Sequence, residues 1–245
     1  MSISTRATGR KSRYFRTRLP ALPPKVLASL AADLQAGGVA IFPTETVYGI
    51  GTSVFSLPGI KRIYALKGRH GRKPLALLVP TLEAARPLVE RIPPEADRLA
   101  GKFWPGPLTL IFQASALGRL VTGGLTTIGV RIPDHPVALA LLKKVGVPLA
   151  TTSVNRSGEK PAVSGAACHR FIAQALARGL KSRSSAAAED PRDSPGAPPT
   201  VDWLIDAGTC RVKAASSVVD LSHYPFTITR EGAISRRTLE KTLFR

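Results

Sequence analysis

The sequence predicts an α/β fold, a mixed β-sheet flanked by helices. Three observations carry that prediction. Short apolar runs suited to buried strands alternate with segments whose apolar residues recur at helical spacing. Glycine and proline clusters separate them. Strand-like runs that follow one another closely call for antiparallel pairs inside the same sheet. With 245 residues, 44% of them hydrophobic, the chain can bury one sizeable core.

Residues 1–20 hold Arg6, Arg10, Lys11, Arg13, Arg16 and Arg18 with no acid and little to bury, and read as a flexible basic arm. Such an arm suits a nucleic-acid contact, an organelle transit peptide or a solvated tail. Residues 21–245 read as one domain. Val26, Leu27, Leu30, Ala31 and Leu34 predict a helix over 25–35, stopped by Gly37-Gly38. A buried strand follows at Val39–Phe42 and runs into the polar turn Pro43-Thr44-Glu45-Thr46. Ile60, Ile63 and Tyr64 predict a helix over 57–66, which the glycines and proline of 67–74 break. Strands are then expected at 75–79, 108–112 and 127–132, and helices at 83–89 and 95–103. Asp134 is expected to cap a helix with Pro136 in its first turn, ending at Gly146, before a strand at 147–150 and a helix near 166–177. Residues 181–200 are Ser-, Ala- and Pro-rich and read as a mobile loop. Strands at 201–205, 217–221 and 226–229 and a helix at 235–243 complete the chain.

Against 16 acids stand 35 lysines and arginines, a formal net charge of +19 that predicts polyanionic or phosphorylated ligands. The two cysteines, Cys168 and Cys210, are too few for a disulfide framework and read as core thiols of a reducing compartment, so a cytoplasmic location is expected, with organelle import by the arm as the alternative. No run reaches the roughly 18 apolar residues a bilayer span needs, and no apolar segment follows the first charges as in a signal peptide.

Walker, Rossmann, zincin and nucleophile-elbow motifs are all missing. The histidines, His70, His135, His169 and His223, lack ligand spacing, so no metal site is expected. Three polar clusters at strand ends remain. Pro43–Gly49 offers hydroxyls and a carboxylate to a small polar ligand, or forms a turn with Tyr48 packed beneath it. Lys67–Lys73 gathers Lys67, Arg69, His70, Arg72 and Lys73 beside two glycines, suited to phosphate oxygens or to plain solvation. Ala150–Gly158 carries hydroxyls and an amide directly after a strand, able to donate to phosphate or carboxylate, or to act as a turn or cap. Arg131 sits in an otherwise apolar strand and needs an anionic partner, from the protein or from a substrate.

Taken in order, these segments resemble the YrdC-like family of threonylcarbamoyl-adenylate synthases over roughly residues 25–235. The resemblance lies in GGVAIFPTETVYGIG from Gly37, LKGRHGRKPLALL from Leu66, WPGPLTLIF from Trp104, TIGVRIPDHP from Thr127, LATTSVNRSG from Leu149, SSVVDLS from Ser216 and ITREG from Ile228. It implies a twisted mixed sheet enclosing a basic concave cleft. The implied reaction joins L-threonine, bicarbonate and ATP, with Mg2+ accompanying the nucleotide, into threonylcarbamoyl-adenylate and pyrophosphate for tRNA modification. A transferase complex that consumes the adenylate is the implied partner. The family's K-x-R and S-x-N elements match Lys67 and Arg69, then Ser153 and Asn155, as the catalytic set. Carried over one by one, Thr44, Arg131 and Thr151 would face threonine, and Lys67, Arg69, Thr109, Ser153 and Arg230 would face ATP, with Asn155 shaping the pocket.

The chain departs from the family where Leu77-Leu78-Val79 replaces a histidine found in some members, and where Val154 stands for the usual alanine. Only about ten residues follow the last motif, so the resemblance is to the short form of the family, without the added carboxyl-terminal domain. Two other readings compete. One is a non-catalytic module holding tRNA or double-stranded RNA in the same basic cleft. The other is a carbamoyl-adenylate former that needs no threonine.

Overall fold

The structure, a computed structural model, describes residues 12–17, 21–68, 74–185 and 200–244, with side chains of the helix beyond residue 178 left out. Its centre is one mixed sheet of ten strands: β1 (Arg13–Arg16), β2 (Ala40–Phe42), β3 (Gly49–Ser53), β4 (Ala76–Leu78), β5 (Leu108–Gln113), β6 (Thr127–Arg131), β7 (Leu149–Ser153), β8 (Trp203–Asp206), β9 (Ser217–Asp220) and β10 (Thr227–Arg230). They lie in the order β1-β8-β2-β3-β7-β4-β6-β5-β9-β10. Around it pack α1 (Pro24–Gln35), α2 (Leu57–Lys67), a 3-10 helix (Glu83–Leu88), α3 (Pro94–Phe103), α4 (Ala116–Thr122), α5 (Pro136–Val145), α6 (Gly165–Ser185) and α7 (Arg236–Leu243). No helix among the described residues is long and apolar enough to cross a membrane.

Strand side chains alternate between the two faces of a sheet, and that alternation divides this molecule. Ile41, Ile50, Leu77, Leu110, Val130, Ala150 and Leu204 point into the larger apolar core, which α2, α3, α6 and α7 cover. Their neighbours Ala40, Phe42, Leu78, Leu149, Trp203 and Ile205 point the other way, into a smaller core closed by Leu30 and Leu34 of α1 and Leu141 and Leu142 of α5. Helices α1 and α5 cover only part of that second face. The rest of it, over β4, β5, β6 and β7, stays open.

The most local differences from the sequence reading have physical causes. Arg13–Arg16, expected to belong to a flexible arm, is a strand paired in parallel with β8, its alternate Tyr14 and Phe15 packed against the two cores. Pairing gained through tertiary contact outweighs the poor apolar content of the segment. Helix α5 is capped not by Asp134 but by His135, whose Nδ1 accepts from the Val137 amide. Burial holds His135 below the ordinary imidazole value, which keeps that nitrogen an acceptor. Of the loop expected over 181–200, residues 181–185 continue α6, and 186–199 lie outside the described residues.

Helix α4 leans on the 3-10 helix so closely that a Cβ on Gly118 would sit 2.0 Å from the Leu88 carbonyl oxygen. Alanine normally favours a helix over glycine. Here Gly118→Ala is expected to destabilise the protein by about 1–3 kcal/mol, because the obstacle is backbone. Urea unfolding of the pair checks the sign.

Candidate active site

The open part of the second face is a hollow of about 350 Å³. Its floor is set by period-two alternation: Ala76 and Leu78 of β4, Thr109 and Ile111 of β5, Thr127, Gly129 and Arg131 of β6, and Thr151 and Ser153 of β7 all face it. β3 crosses beside Thr151 with Gly51, where a Cβ would come within 2.7 Å of the Thr151 hydroxyl. Glycine there keeps the strand close without displacing Thr151.

Three hydrogen-bonded groups line or support the hollow. In the turn between β2 and β3, the Thr44 hydroxyl donates to the Val47 carbonyl at 2.6 Å and lies 2.9 Å from the Thr46 hydroxyl. Arg131 reaches this turn from β6. Its Nη2 donates to Glu45 Oε1 at 2.7 Å and to Thr46 Oγ1 at 2.8 Å, and its Nε donates to the Gly106 carbonyl at 3.1 Å. Glu45 is buried, and its second oxygen accepts from the Asp134 amide at 3.1 Å. The protein thus supplies a carboxylate for Arg131 while the same residue lines the hollow.

On the opposite wall, Thr109 Oγ1 and Ser216 Oγ are 2.9 Å apart, and Arg230 donates from Nε to the Ser216 carbonyl and from Nη2 to the Ser216 hydroxyl. Arg230 owes its direction to a β-bulge. Ile228 pairs with Val219 and faces the core, but the register shifts before Arg230, which pairs with Val218 and faces the hollow. Without the shift, two-residue alternation would put the arginine on the side of Ile228. Burial, and then the nearby charge of Arg131, push the Arg230 pKa down. Two guanidiniums that feel each other across a polar hollow favour an anion between them.

The third group fixes the floor at the end of β7. Lys67, 2% exposed at the end of α2, donates from Nζ to the Ser153 and Asn155 carbonyls and to Asn155 Oδ1. Asn155 Oδ1 also accepts from the Ser153 hydroxyl at 2.6 Å, and its Nδ2 donates to the Arg156 and Glu159 carbonyls. Ser153 lines the hollow, whereas Lys67 and Asn155 stand behind it.

The structure therefore brings Thr44, Thr109, Arg131, Thr151, Ser153 and Arg230 around one space, with Lys67 and Asn155 as its support. Arg69 lies outside the described residues. The sequence reading offered Glu45 and Thr46 to a ligand as part of the Pro43–Gly49 cluster, whereas here both bond Arg131, and it gave Ser216 no role. All three stood inside the quoted motifs, and the need of Arg131, in an otherwise apolar strand, for an anionic partner was the available signal for Glu45. Cys168 and Cys210 are buried, and burial pushes both thiols up, Cys210 to about 11, so neither is a thiolate nucleophile near neutrality.

The comparisons agree with this architecture. A Sua5/YciO/YrdC family model, described as "Telomere recombination", matches residues 32–191. A threonylcarbamoyl-AMP synthase of Pyrococcus abyssi is 35% identical over 214 residues, which are 87% of this chain and 56% of that protein. The synthase of Bacillus subtilis is 32% identical over 89% of this chain and 56% of its own length. The chain thus spans little more than half the length of these relatives. The crystal structure of P. abyssi Sua5 complexed with L-threonine superposes with a TM-score of 0.77 at 31% identity, over 94% of this chain and 60% of that one. With more than half of its residues matched and its mixed sheet shared, the chain belongs to the Sua5/YciO/YrdC family.

Proposed function

We propose that the protein is a threonylcarbamoyl-AMP synthase, converting L-threonine, bicarbonate and ATP into threonylcarbamoyl-adenylate and pyrophosphate for a tRNA-modifying transferase complex. One observation carries this reading: two arginines and eight hydroxyl side chains converge on a single hollow large enough for a small ligand, with no acid, base or nucleophile triad among them. The relatives carry the same activity in their names, and P. abyssi Sua5 binds threonine.

The chemistry needs no protein nucleophile. The threonine amine, once deprotonated, attacks the carbon of CO2, which bicarbonate yields by losing its hydroxyl as water on protonation, and the carbamate oxygen then attacks the α-phosphorus as the bond to the pyrophosphate oxygen breaks. The protein has to position, neutralise charge and exclude water. We assign Arg131 to the threonine carboxylate, Thr44 and Thr151 to the amino-acid side, and Thr109, Ser153 and Arg230 to the nucleotide phosphates. Arg69 would add charge from the loop. Lys67, with three protons directed to Ser153 and Asn155, serves the phosphates by holding the S-x-N turn.

The hollow's lining offers hydroxyls and guanidiniums but no carboxylate. Mg2+ would therefore arrive as part of the MgATP substrate, held by phosphate oxygens, and would neutralise charge on the departing pyrophosphate.

The test is pyrophosphate release with and without threonine and bicarbonate. Release is expected to require both, and Arg230→Ala is expected to lower kcat/KM for ATP by about 100-fold. Serine lacks one methyl group, worth about 1–3 kcal/mol, so it is expected to be a poor but measurable substrate. Release independent of threonine would sink the proposal, as would salt-sensitive binding of tRNA or double-stranded RNA without turnover.

A further inference from the structure

A second hollow, of about 330 Å³, lies on the reverse side of the same strands. Ala76, Leu78 and Thr151 face the first hollow, whereas Leu77 and Ala150 form the floor of the second. Its walls are one face of α2, with Leu57, Ile60 and Tyr64 at helical spacing, and the end of α4, with Leu120 and Val121. The rim is apolar and unusually open to water: Leu120 is 76% exposed, Phe55 60% and Leu57 59%. The proposed reaction uses none of these residues.

The electrostatics of the rim select the occupant. The segments that build the groove lie within residues 46–82, 98–133 and 135–158, and none of these stretches contains a single aspartate or glutamate. Exposed Lys61 stands on α2 one turn after Leu57, and exposed Arg119 stands beside Leu120 on α4. A groove with apolar walls, exposed cations on both flanking helices and no acid among its lining residues is complementary to an apolar stripe edged with carboxylates.

The segments of this sequence outside the described residues offer no such stripe. Residues 186–199 carry Glu189, Asp190 and Asp193 but no leucine, isoleucine, valine, methionine or aromatic side chain, and residues 1–11, 18–20 and 69–73 contain no acid. A second copy would bring another +19 to the same face. A narrow concave slot between two helices also fits the side chains of a helix better than a flat lipid surface.

We propose that the groove between α2 and α4 docks an acidic amphipathic helix of a partner protein. Docking there would leave the reaction hollow open, because the two lie on opposite faces of β4 and β7.

The test uses two labelled helical peptides of about 18 residues with the same leucine and phenylalanine stripe, one edged with glutamate and one with lysine. The acidic peptide is expected to bind saturably and at least about tenfold more tightly than the basic one. Leu57→Glu and Leu120→Glu, at exposed positions outside the reaction site, are each expected to weaken it about tenfold, with thermal unfolding and threonine-dependent turnover unchanged. Lys61→Glu combined with Arg119→Glu is expected to reverse the preference. Equal binding of the two peptides, or binding of neither, would overturn the proposal. So would capture of the wild type, but not of Leu120→Glu, by phosphatidylserine vesicles. Self-association in sedimentation that Leu120→Glu abolishes would overturn it in favour of a second copy.

Discussion

Glu45→Gln is expected to destabilise the protein by about 3 kcal/mol, at the lower end of what removing one partner of a buried ion pair costs. The substitution keeps the shape of the side chain and removes its charge. It leaves the Arg131 guanidinium, 7% exposed, without its carboxylate, and turns an amide donor toward either Arg131 Nη2 or the Asp134 amide, both donors themselves. The reaction hollow lets some water reach Arg131, which is why the lower end of the range applies. Glu45→Gln combined with Arg131→Met should recover much of the loss, since the stranded charge is gone. Urea midpoints at constant slope, with a melting temperature about 6–12 °C lower for the single variant, provide the readout. A single variant within about 0.5 kcal/mol of the parent would show that the pair is solvated and not structural.

Lys67→Met is expected to be as damaging, and for a different reason. Its Nζ fills three acceptors, two backbone carbonyls and the Asn155 side-chain oxygen, and each acceptor left unmet in a buried place costs about 1–3 kcal/mol. Water entering the space would offset part of this, so a net loss of about 2–4 kcal/mol is expected. Turnover should fall by about 100-fold or more, because Ser153 and Asn155 lose their fixed geometry. The division between kinetic constants separates this role from direct phosphate contact. A positioning lysine loses kcat together with stability, whereas a lysine that only grips ATP would raise the KM for ATP in a fully stable protein. Lys67→Arg should not rescue, since a planar guanidinium does not fit the compact, buried ammonium site.

Much of this architecture can be read in the sequence because its strands and long helices carry clear apolar periods. β2, β5, β6, α1, α3 and α5 appear within a residue or two of where their patterns put them. Three elements escape such a reading. β3, Gly-Ile-Gly-Thr-Ser, carries two glycines because its reaction-side face must leave room for Thr151, and glycine ordinarily signals a loop. β1 is charged at both ends and becomes a strand only through its pairing with β8. α4 is seven residues long and too short to show a period. Within the site, the resemblance to a family named residues that line the hollow and two that support it, Lys67 and Asn155, but not the partners that hold its two arginines. Glu45 and Ser216 act through partners 86 and 14 positions away, Arg131 and Arg230, and such pairings follow from sheet order rather than from local spacing.

The bulge in β10 has a consequence for which changes the terminal hairpin can accept. Arg230 faces the reaction hollow only because one additional residue is counted in before it. Exchanging Thr229 for another side chain preserves that count, and deleting it would set Arg230 directly after Ile228, opposite Val218 in plain alternation and still turned toward the hollow. What this short stretch should not accept is a change that straightens the strand while keeping both residues, since that would turn the guanidinium to the side of Ile228, among aliphatic neighbours.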